Sequence, residues 1–206
     1  MALRLFGVTA LDGEQLGSPV HGTFTVSFRD LDAVVAETEF ESLAATPTDI
    51  ALHHEVVASL FARFPIVPAP YGTVLGSMTV VQRWLEVHYF SLSDALRYVE
   101  DKAAARVYVS ERESVLDDMT VGEPADILKV TSDAFRTLRR QAVASSTLRA
   151  SEDGGHRVAG TFLIERDRWT AFTEVVAEEG RRYPTLQFRL SGPWPPYDFV
   201  KLQLGG

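Results

Sequence analysis

The sequence contains no cysteine among its 206 residues. Disulfide bonds, thiolate nucleophiles and cysteine-ligated zinc or iron–sulfur centres are therefore excluded. A long apolar run is also missing, since no stretch approaches the ~20 residues that a helix needs to span a bilayer. Residues 1–7 are too short and too soon followed by polar residues to form a signal peptide. From these absences we expect a cytoplasmic protein without a membrane partner.

Signatures of nucleotide binding are absent as well. The sequence has neither the GxxxxGK[ST] phosphate loop nor the GxGxxG turn, and it has no GxSxG segment that would present a serine nucleophile. Acidic residues outnumber basic ones, 28 against 20, which gives a formal net charge of −8. A protein that binds nucleic acid needs clustered lysine and arginine to meet the phosphates. The composition therefore argues against a nucleic-acid partner.

The adjacent histidines His53 and His54 are the residues most suggestive of a metal site. Neighbouring positions on a helix point about 100° apart, so the two side chains cannot readily bind one ion. A metalloprotease helix would carry histidines four residues apart with a glutamate after the first, and Glu55 does not complete that pattern. We therefore expect structural or surface roles for both histidines, with no metal and no cofactor.

Two groups of carboxylates also lack the spacing of a catalytic or metal site. The first does not match the alternating ligands of a calcium-binding loop, and we interpret it as part of a solvated linker. The second lies on or near one predicted helix, where carboxylate pairs are too common to indicate a glycosidase. The two groups are Glu111, Glu113, Asp117, Asp118 and Glu123, and Asp167, Glu174, Glu178 and Glu179. We predict no catalytic residue and expect a protein that is not an enzyme.

Hydrophobic periodicity in the first half predicts three strands, a helix, a strand, a second helix and another strand. Strict alternation puts Phe24, Val26 and Phe28 on one face of a half-buried strand. Apolar residues at helical spacing follow Thr48 and Asp49, either of which can cap the first helix. Apolar residues at the same spacing follow Ser77, which can cap the second helix. The strands are expected at residues 3–9, 23–28, 33–36, 66–68 and 105–110. This order is typical of an α+β sandwich, and we predict a ferredoxin-like N-terminal domain over residues 1–110.

The second half indicates a smaller domain. We interpret residues 111–123 as the linker and residues 124–206 as a helix followed by a small α/β layer. A long helix is expected at residues 125–148 and a shorter one at 169–179, with strands at 158–164, 184–190 and 199–204. The predicted fold class is α+β, with two sandwich-like domains.

Residues 191–200 form the most distinctive segment of the chain. Three prolines surround a tryptophan, and each proline fixes its own φ and restrains the residue before it. We expect a stiff, extended elbow in which Trp194 inserts into the protein's own core and staples the C-terminal strand. The other face of the elbow is then free to offer an apolar surface to a partner. Its residues of interest are Gly192, Pro193, Trp194, Pro195, Pro196, Tyr197 and Phe199.

This segment, SGPWPPYDFV, resembles the C-terminal SGPWPPY-[SD]-FV signature of the gas vesicle proteins GvpF and GvpL, with Asp198 where serine is common. A second segment, PIVPAPYGTVL at residues 65–75, is similar to the PVLPLRFGTVF-like central segment of that family. Here Ala69-Pro70-Tyr71 replaces leucine-arginine-phenylalanine, and residues 161–164 with Phe172 fit a third stretch. In the central segment the resemblance marks Pro65, Pro68, Tyr71, Gly72 and Thr73 as family positions.

The resemblance implies an accessory or minor structural protein of gas vesicles rather than an enzyme. The implied partners are the small, very hydrophobic GvpA-like shell protein and other gas vesicle accessory proteins, and the implied location is the gas vesicle in the cytoplasm. It also suggests that His53 or His54 packs under the segment at residues 65–70. We expect the exposed edge of the N-terminal sheet to contact the shell protein. The alternative is a ferredoxin-like regulator that binds a small molecule.

Overall fold

A computed structural model describes residues 1–11, 22–39, 45–112, 124–148 and 158–202, with the backbone alone for 124–128 and 148. The chain divides into two compact units. The first unit comprises Met1–Glu100 and Pro195–Gly206, and the second comprises Asp101–Trp194. The C-terminal segment of the chain therefore belongs to the same unit as its N-terminus.

The first unit is built on an antiparallel sheet in the order β2-β3-β1-β4, with a short strand β5 that also pairs with β1. Strand β1 lies between β3 and β4 and is buried at every position. The strands are β1 (Ala2–Thr9), β2 (Phe24–Phe28), β3 (Leu31–Thr38), β4 (Ile66–Pro68) and β5 (Val74–Leu75).

Three helices accompany this sheet: α1 (Pro47–Phe61), α2 (Met78–Val87) and α3 (Tyr89–Val99). The predicted cap Ser77 is confirmed, because its hydroxyl accepts a hydrogen bond from the N–H of Val80 at 3.3 Å. The cap predicted for α1 was wrong. Thr46 caps that helix instead, since a proline follows it, and proline is favoured in the first turn of a helix.

Both faces of the first sheet are covered by helices. Leu3 and Leu5 of β1 belong to a core that includes Leu85 of α2 and Leu96 of α3. The intervening side chain of Arg4 points to the opposite face, where its guanidinium donates a hydrogen bond to a backbone carbonyl of α1. Side chains alternate between the faces of a strand, so the complete burial of β1 follows from this double cover.

The second unit has the order strand, helix, strand, strand, helix, strand. Its antiparallel sheet runs β7-β8-β6-β9, so that its first strand lies between its third and fourth. The elements are β6 (Lys102–Glu111), α4 (Pro124–Arg139), β7 (Ala144–Leu148), β8 (Val158–Glu165), α5 (Trp169–Arg182) and β9 (Leu186–Trp194). This is the β-α-β-β-α-β pattern of ferredoxin-like folds. Phe135 of α4 and Phe172 of α5 pack in one core with Phe162 of β8.

The predicted α+β class with two sheets is confirmed. The first sheet has the corresponding strand order. The division of the chain differs from the predicted boundaries at two places. Residues 102–110 lie in the second unit, and residues 195–206 lie in the first. Most of the predicted linker, residues 113–123, lies outside the described part of the chain.

Two predicted elements were wrong in part. The helix predicted over residues 125–148 ends at Arg139, and residues 144–148 form the edge strand β7, paired with β8. These residues pair with β8 because serine and threonine have a low helix propensity, so little stability is gained by extending the helix through them. Residues 199–202 form no strand, since Phe199 and Val200 turn back to the carbonyl of Pro196. None of the described helices combines the length and apolarity needed to cross a membrane.

Candidate interaction site

The segment at residues 65–75 lies along β1 and is held there by main-chain hydrogen bonds. Ala69 donates to the carbonyl of Phe6, and Leu5 donates to the carbonyl of Thr73, both at 2.9 Å. The two chains approach so closely that a Cβ on Gly7 would lie 2.9 Å from the carbonyl oxygen of Val67. The packing of this segment therefore requires glycine at position 7.

The end of the same segment is a tight turn from Pro70 to Thr73. Gly72 has a φ of +85° at the third position of the turn, which is the conformation a type II turn demands of glycine. The N–H and the hydroxyl of Thr73 both donate to the carbonyl of Pro70, at 3.3 and 2.8 Å. Gly72 and Thr73, two of the family positions, thus serve to shape the backbone.

His53 is fully buried beneath this segment, as the resemblance suggested for one of the two histidines. Its Nε2 donates a hydrogen bond to the carbonyl of Ala69 at 2.9 Å. The ring stacks on Phe6 at 5.2 Å between centroids and meets the edge of Tyr71 at 5.7 Å. These contacts fix α1 against β1 and the turn.

The environment of His53 keeps it neutral at neutral pH. Burial is the main cause that lowers its pKa to about 4, and the positive charge of Arg4 acts in the same direction. The hydrogen bond to Ala69 opposes this effect and is outweighed. Within the described residues, no set of three histidine, aspartate or glutamate side chains could hold a metal ion.

Arg4 completes this cluster and was missed by the sequence analysis. Its guanidinium lies 5.1 Å from the ring centroid of Phe6 and 4.8 Å from that of Tyr71. It also donates to the carbonyl of Asp49 at 3.0 Å. A buried arginine between two aromatic faces is stabilised by cation–π attraction. The feature of the sequence that could have revealed Arg4 is its position within the otherwise apolar residues 3–8 of a predicted strand.

The C-terminal signature begins at the end of β9, where the backbone is sharply constrained. Gly192 has a φ of +131°, and its bond to Pro193 is cis. A Cβ at Gly192 would lie 2.8 Å both from the carbonyl oxygen of Ala104 and from the ring of Trp169. Only glycine is compatible with this close approach.

Trp194 does not insert into the core, and that expectation was wrong. The side chain is 48% exposed, and its indole N–H donates to the hydroxyl of Ser191 at 3.2 Å. Trp194 pairs with Ala104 of β6. The next residue, Ala105, points into the core formed with α4 and α5, so Ala104 points to the opposite face of the sheet. Paired residues of antiparallel strands point to the same face, so the tryptophan lies on the face away from α4 and α5.

The residues after Trp194 anchor the chain in the first unit. Pro195 and Pro196 are buried, and Val200 joins the core shared with α2 and α3. Burial raises the pKa of Tyr197 to about 12. The anchoring function expected of Trp194 is thus performed by Pro195, Pro196 and Val200, which bury apolar surface.

The two family segments meet through a row of four aromatic rings that crosses the middle of α1, at His53 and His54. Centroid distances are 5.7 Å from Tyr71 to His53, 6.1 Å from His53 to His54 and 6.1 Å from His54 to Tyr197. Of the remaining family positions, Pro68 is buried in β4, and Pro65 accepts a hydrogen bond from Thr9 at 2.8 Å. Phe199 donates its N–H to Pro196, whereas Gly192 and Pro193 are exposed.

The described residues thus define an α+β protein of two units. Most of its motif residues form turns, main-chain hydrogen bonds or packing contacts. A family model described as "Gas vesicle synthesis protein GvpL/GvpF" matches residues 3–131 and 125–201. The chain belongs to this family, as its motifs suggested, and is a gas-vesicle-related protein.

Individual proteins are similar to this chain in sequence or in fold. The chain is 26% identical over 203 residues to "Gas vesicle protein F2" of Halobacterium salinarum. This alignment covers 94% of this chain and 90% of that protein. Its fold is similar to the crystal structure of GvpF from Anabaena sp. PCC7120, with a TM-score of 0.78, 14% identity and coverage of 98% and 99% of the two chains. GvpF from Microcystis aeruginosa is similar with a TM-score of 0.75, 14% identity and the same coverage.

Proposed function

We propose that this protein is a non-catalytic accessory or minor structural protein of gas vesicles, acting in the cytoplasm. In this proposal it binds the hydrophobic GvpA-like shell subunit, together with other accessory proteins, and supports assembly of the shell. The observation that carries the proposal is the family match, which extends over both units of the chain.

The charge of the first unit fits this role. It contains six lysines and arginines against 13 aspartates and glutamates, a formal net charge of −7, whereas the second unit carries −1. A hydrophobic subunit that is exposed before assembly would aggregate. A strongly charged companion keeps the complex in solution through electrostatic repulsion between complexes.

Strand β2 is one contact that this role would use. It forms an edge of the first sheet and pairs with β3 alone among the described strands. Phe24 and Phe28 are half-buried on it, so an apolar face accompanies a main-chain edge that no other described strand pairs with. An extended segment of a partner can add to such an edge by main-chain hydrogen bonding.

The exposed end of the C-terminal signature is a second candidate contact. Gly192, Pro193 and Trp194 present a stiff, partly apolar surface. Rigid aromatic residues contribute strongly to interfaces because little conformational entropy is lost on binding. Of the remaining family positions, Pro68, Thr73, Pro195 and Pro196 are buried in the first unit.

A pull-down of the shell subunit with the full-length chain tests this proposal. We expect wild-type protein to retain the subunit and the variants Thr25→Asp and Trp194→Asp to retain less. Ser145→Asp is the matched control, because it adds a charge to the exposed edge strand of the second sheet. Failure of the wild-type chain to bind the subunit would contradict the proposal, and equal binding by all variants would contradict the two contacts.

A further inference from the structure

Exposed hydrophobic side chains concentrate on two helices of the first unit. Among the residues that the structure describes, five of the eight large hydrophobic side chains with high exposure lie on α2 or α3. They are Met78, Val80, Val87, Phe90 and Tyr98. Single exposed hydrophobic residues are ordinary, but a local concentration marks an interaction surface.

Three of these side chains lie on α2 and on the first turn of α3. Val80 and Val87 are seven residues apart on α2 and therefore lie on the same side of that helix. Phe90 follows directly after the break at His88, at the start of α3. Val87 is 64% exposed and Phe90 is 78% exposed. We refer to Val80, Val87 and Phe90 as the α2–α3 surface.

A groove adjoins this surface at Phe90. It has a volume of about 290 Å³. Its apolar lining includes Leu31, Pro65, Phe90 and Leu96, and its polar and charged lining includes Asp30, Tyr89, Ser93, Arg97 and Glu100. This volume lies at the lower limit for small-molecule pockets. The groove suits a side chain of a macromolecular partner, with its apolar part against Phe90 and Leu96, better than a free metabolite.

Two ion pairs within the helices lie beside this surface. Arg83 pairs with Glu86 at 2.9 Å, and Arg97 pairs with Asp94 at 3.2 Å, each within one helical turn. The apolar residues therefore lie among paired charges, while the unit as a whole carries −7. A partner that complements both features is aliphatic at the contact and basic at its flanks.

We propose that the α2–α3 surface binds an amphipathic helix of the shell subunit, with aliphatic residues against Val87 and Phe90 and lysine or arginine at the helix ends. This inference rests on the proposed function and names the contact within it. A helix is favoured over a strand here because α2 and α3 offer no free main-chain edge. Such contacts rely on side chains of a partner helix that satisfies its own main chain.

The experiment measures binding by the full-length chain to two probes. One is the shell subunit, kept in solution as a fusion protein, and the other is a ~20-residue leucine–alanine helix, about 30 Å long, with lysine flanks. We expect the double variant Val87→Ala/Phe90→Ala to bind both probes at least about tenfold more weakly. Val143→Ala, which truncates a 47%-exposed valine of the second unit, should bind as wild type does. A version of the helix with glutamate flanks should bind poorly.

The outcomes separate this inference from the function on which it rests. If wild type binds the shell subunit and the double variant binds it equally well, the α2–α3 surface is excluded and the proposed function stands. If wild type binds the lysine-flanked helix but not the shell subunit, the surface exists and the proposed function fails. Binding of neither probe overturns both. The circular dichroism of the double variant must match that of wild type, as expected for exposed positions.

Discussion

The two units share a strand order but differ in what surrounds their sheets. In the first unit, helices cover both faces of the sheet, and the C-terminal segment packs into its core. In the second unit, α4 and α5 pack in one core on one face. The first unit also carries most of the net negative charge and most of the exposed hydrophobic side chains on described residues. We infer that binding is concentrated on the first unit.

The largest effect is expected from deletion of residues 195–206. This removes the buried Pro195, Pro196 and Val200 from the first unit and should lower its stability by about 4.5–9 kcal/mol, at roughly 1.5–3 kcal/mol for each of the three buried side chains. Trp84 reports on the first unit and Trp169 on the second. Urea unfolding of single-tryptophan variants should show an early transition at Trp84 alone. An equal loss at both tryptophans would contradict the separation into two units.

Alanine at two glycines tests the tight approaches that each unit depends on. Gly7→Ala in the first unit and Gly192→Ala in the second place a Cβ within 2.9 Å of a backbone oxygen. Each should lower the free energy of unfolding by about 3 kcal/mol, because backbone cannot move aside easily. Gly180→Ala is the control, since its Cβ would meet Phe188 at an ordinary 3.8 Å. That substitution in a helix should be neutral or stabilising by about 1 kcal/mol.

The buried His53 predicts a pH dependence that belongs to the first unit. Its pKa is lowered from 6.5 to about 4 in the folded state, so the unfolded chain binds a proton at a higher pH. The stabilisation is complete above pH 6.5 and is lost as the pH falls towards 4, by up to about 3 kcal/mol. Urea midpoints measured between pH 7 and 4 should show a smaller decline in His53→Gln than in His54→Gln. Identical declines in both variants would contradict the assignment.

Much of the local structure could be predicted from the sequence, because its signals are local. The alternation at residues 23–28 and the cap at Ser77 involve neighbours only, and both were correct. The membership of β6 in the second unit could not be predicted, since it depends on pairing with β8 and β9, far away in the chain. Residues 144–148 were misassigned for the same reason.

The same limit applied to the candidate site. The motif segments were visible in the sequence, but their meeting through His53 and His54 is a tertiary contact. The position of Arg4 between Phe6 and Tyr71 required the turn at Gly72 to bring Tyr71 back to β1. The face occupied by Trp194 depends on its register with Ala104, which no local pattern records.

The smallest effect is expected from a pair of tyrosine substitutions in the first unit. Among the described residues, none hydrogen-bonds the buried hydroxyl of Tyr197, whereas the hydroxyl of Tyr89 donates to Asp30 at 2.7 Å. Tyr197→Phe should therefore be neutral or stabilising by up to about 1 kcal/mol, and Tyr89→Phe should destabilise by about 0.5–1 kcal/mol. Thermal unfolding of the two variants measures the difference. A larger loss of stability in Tyr197→Phe than in Tyr89→Phe would contradict this prediction.

The central claim is that the first unit carries the contact with a hydrophobic shell subunit. The most direct measurement is photo-cross-linking from the shell subunit to the full-length chain, followed by mass-spectrometric mapping of the linked peptides. We expect the cross-links to map to residues 1–100 and to residues 192–194, with the strongest at residues 78–99. Cross-links confined to residues 101–191, or none above a non-binding control protein, would contradict the account.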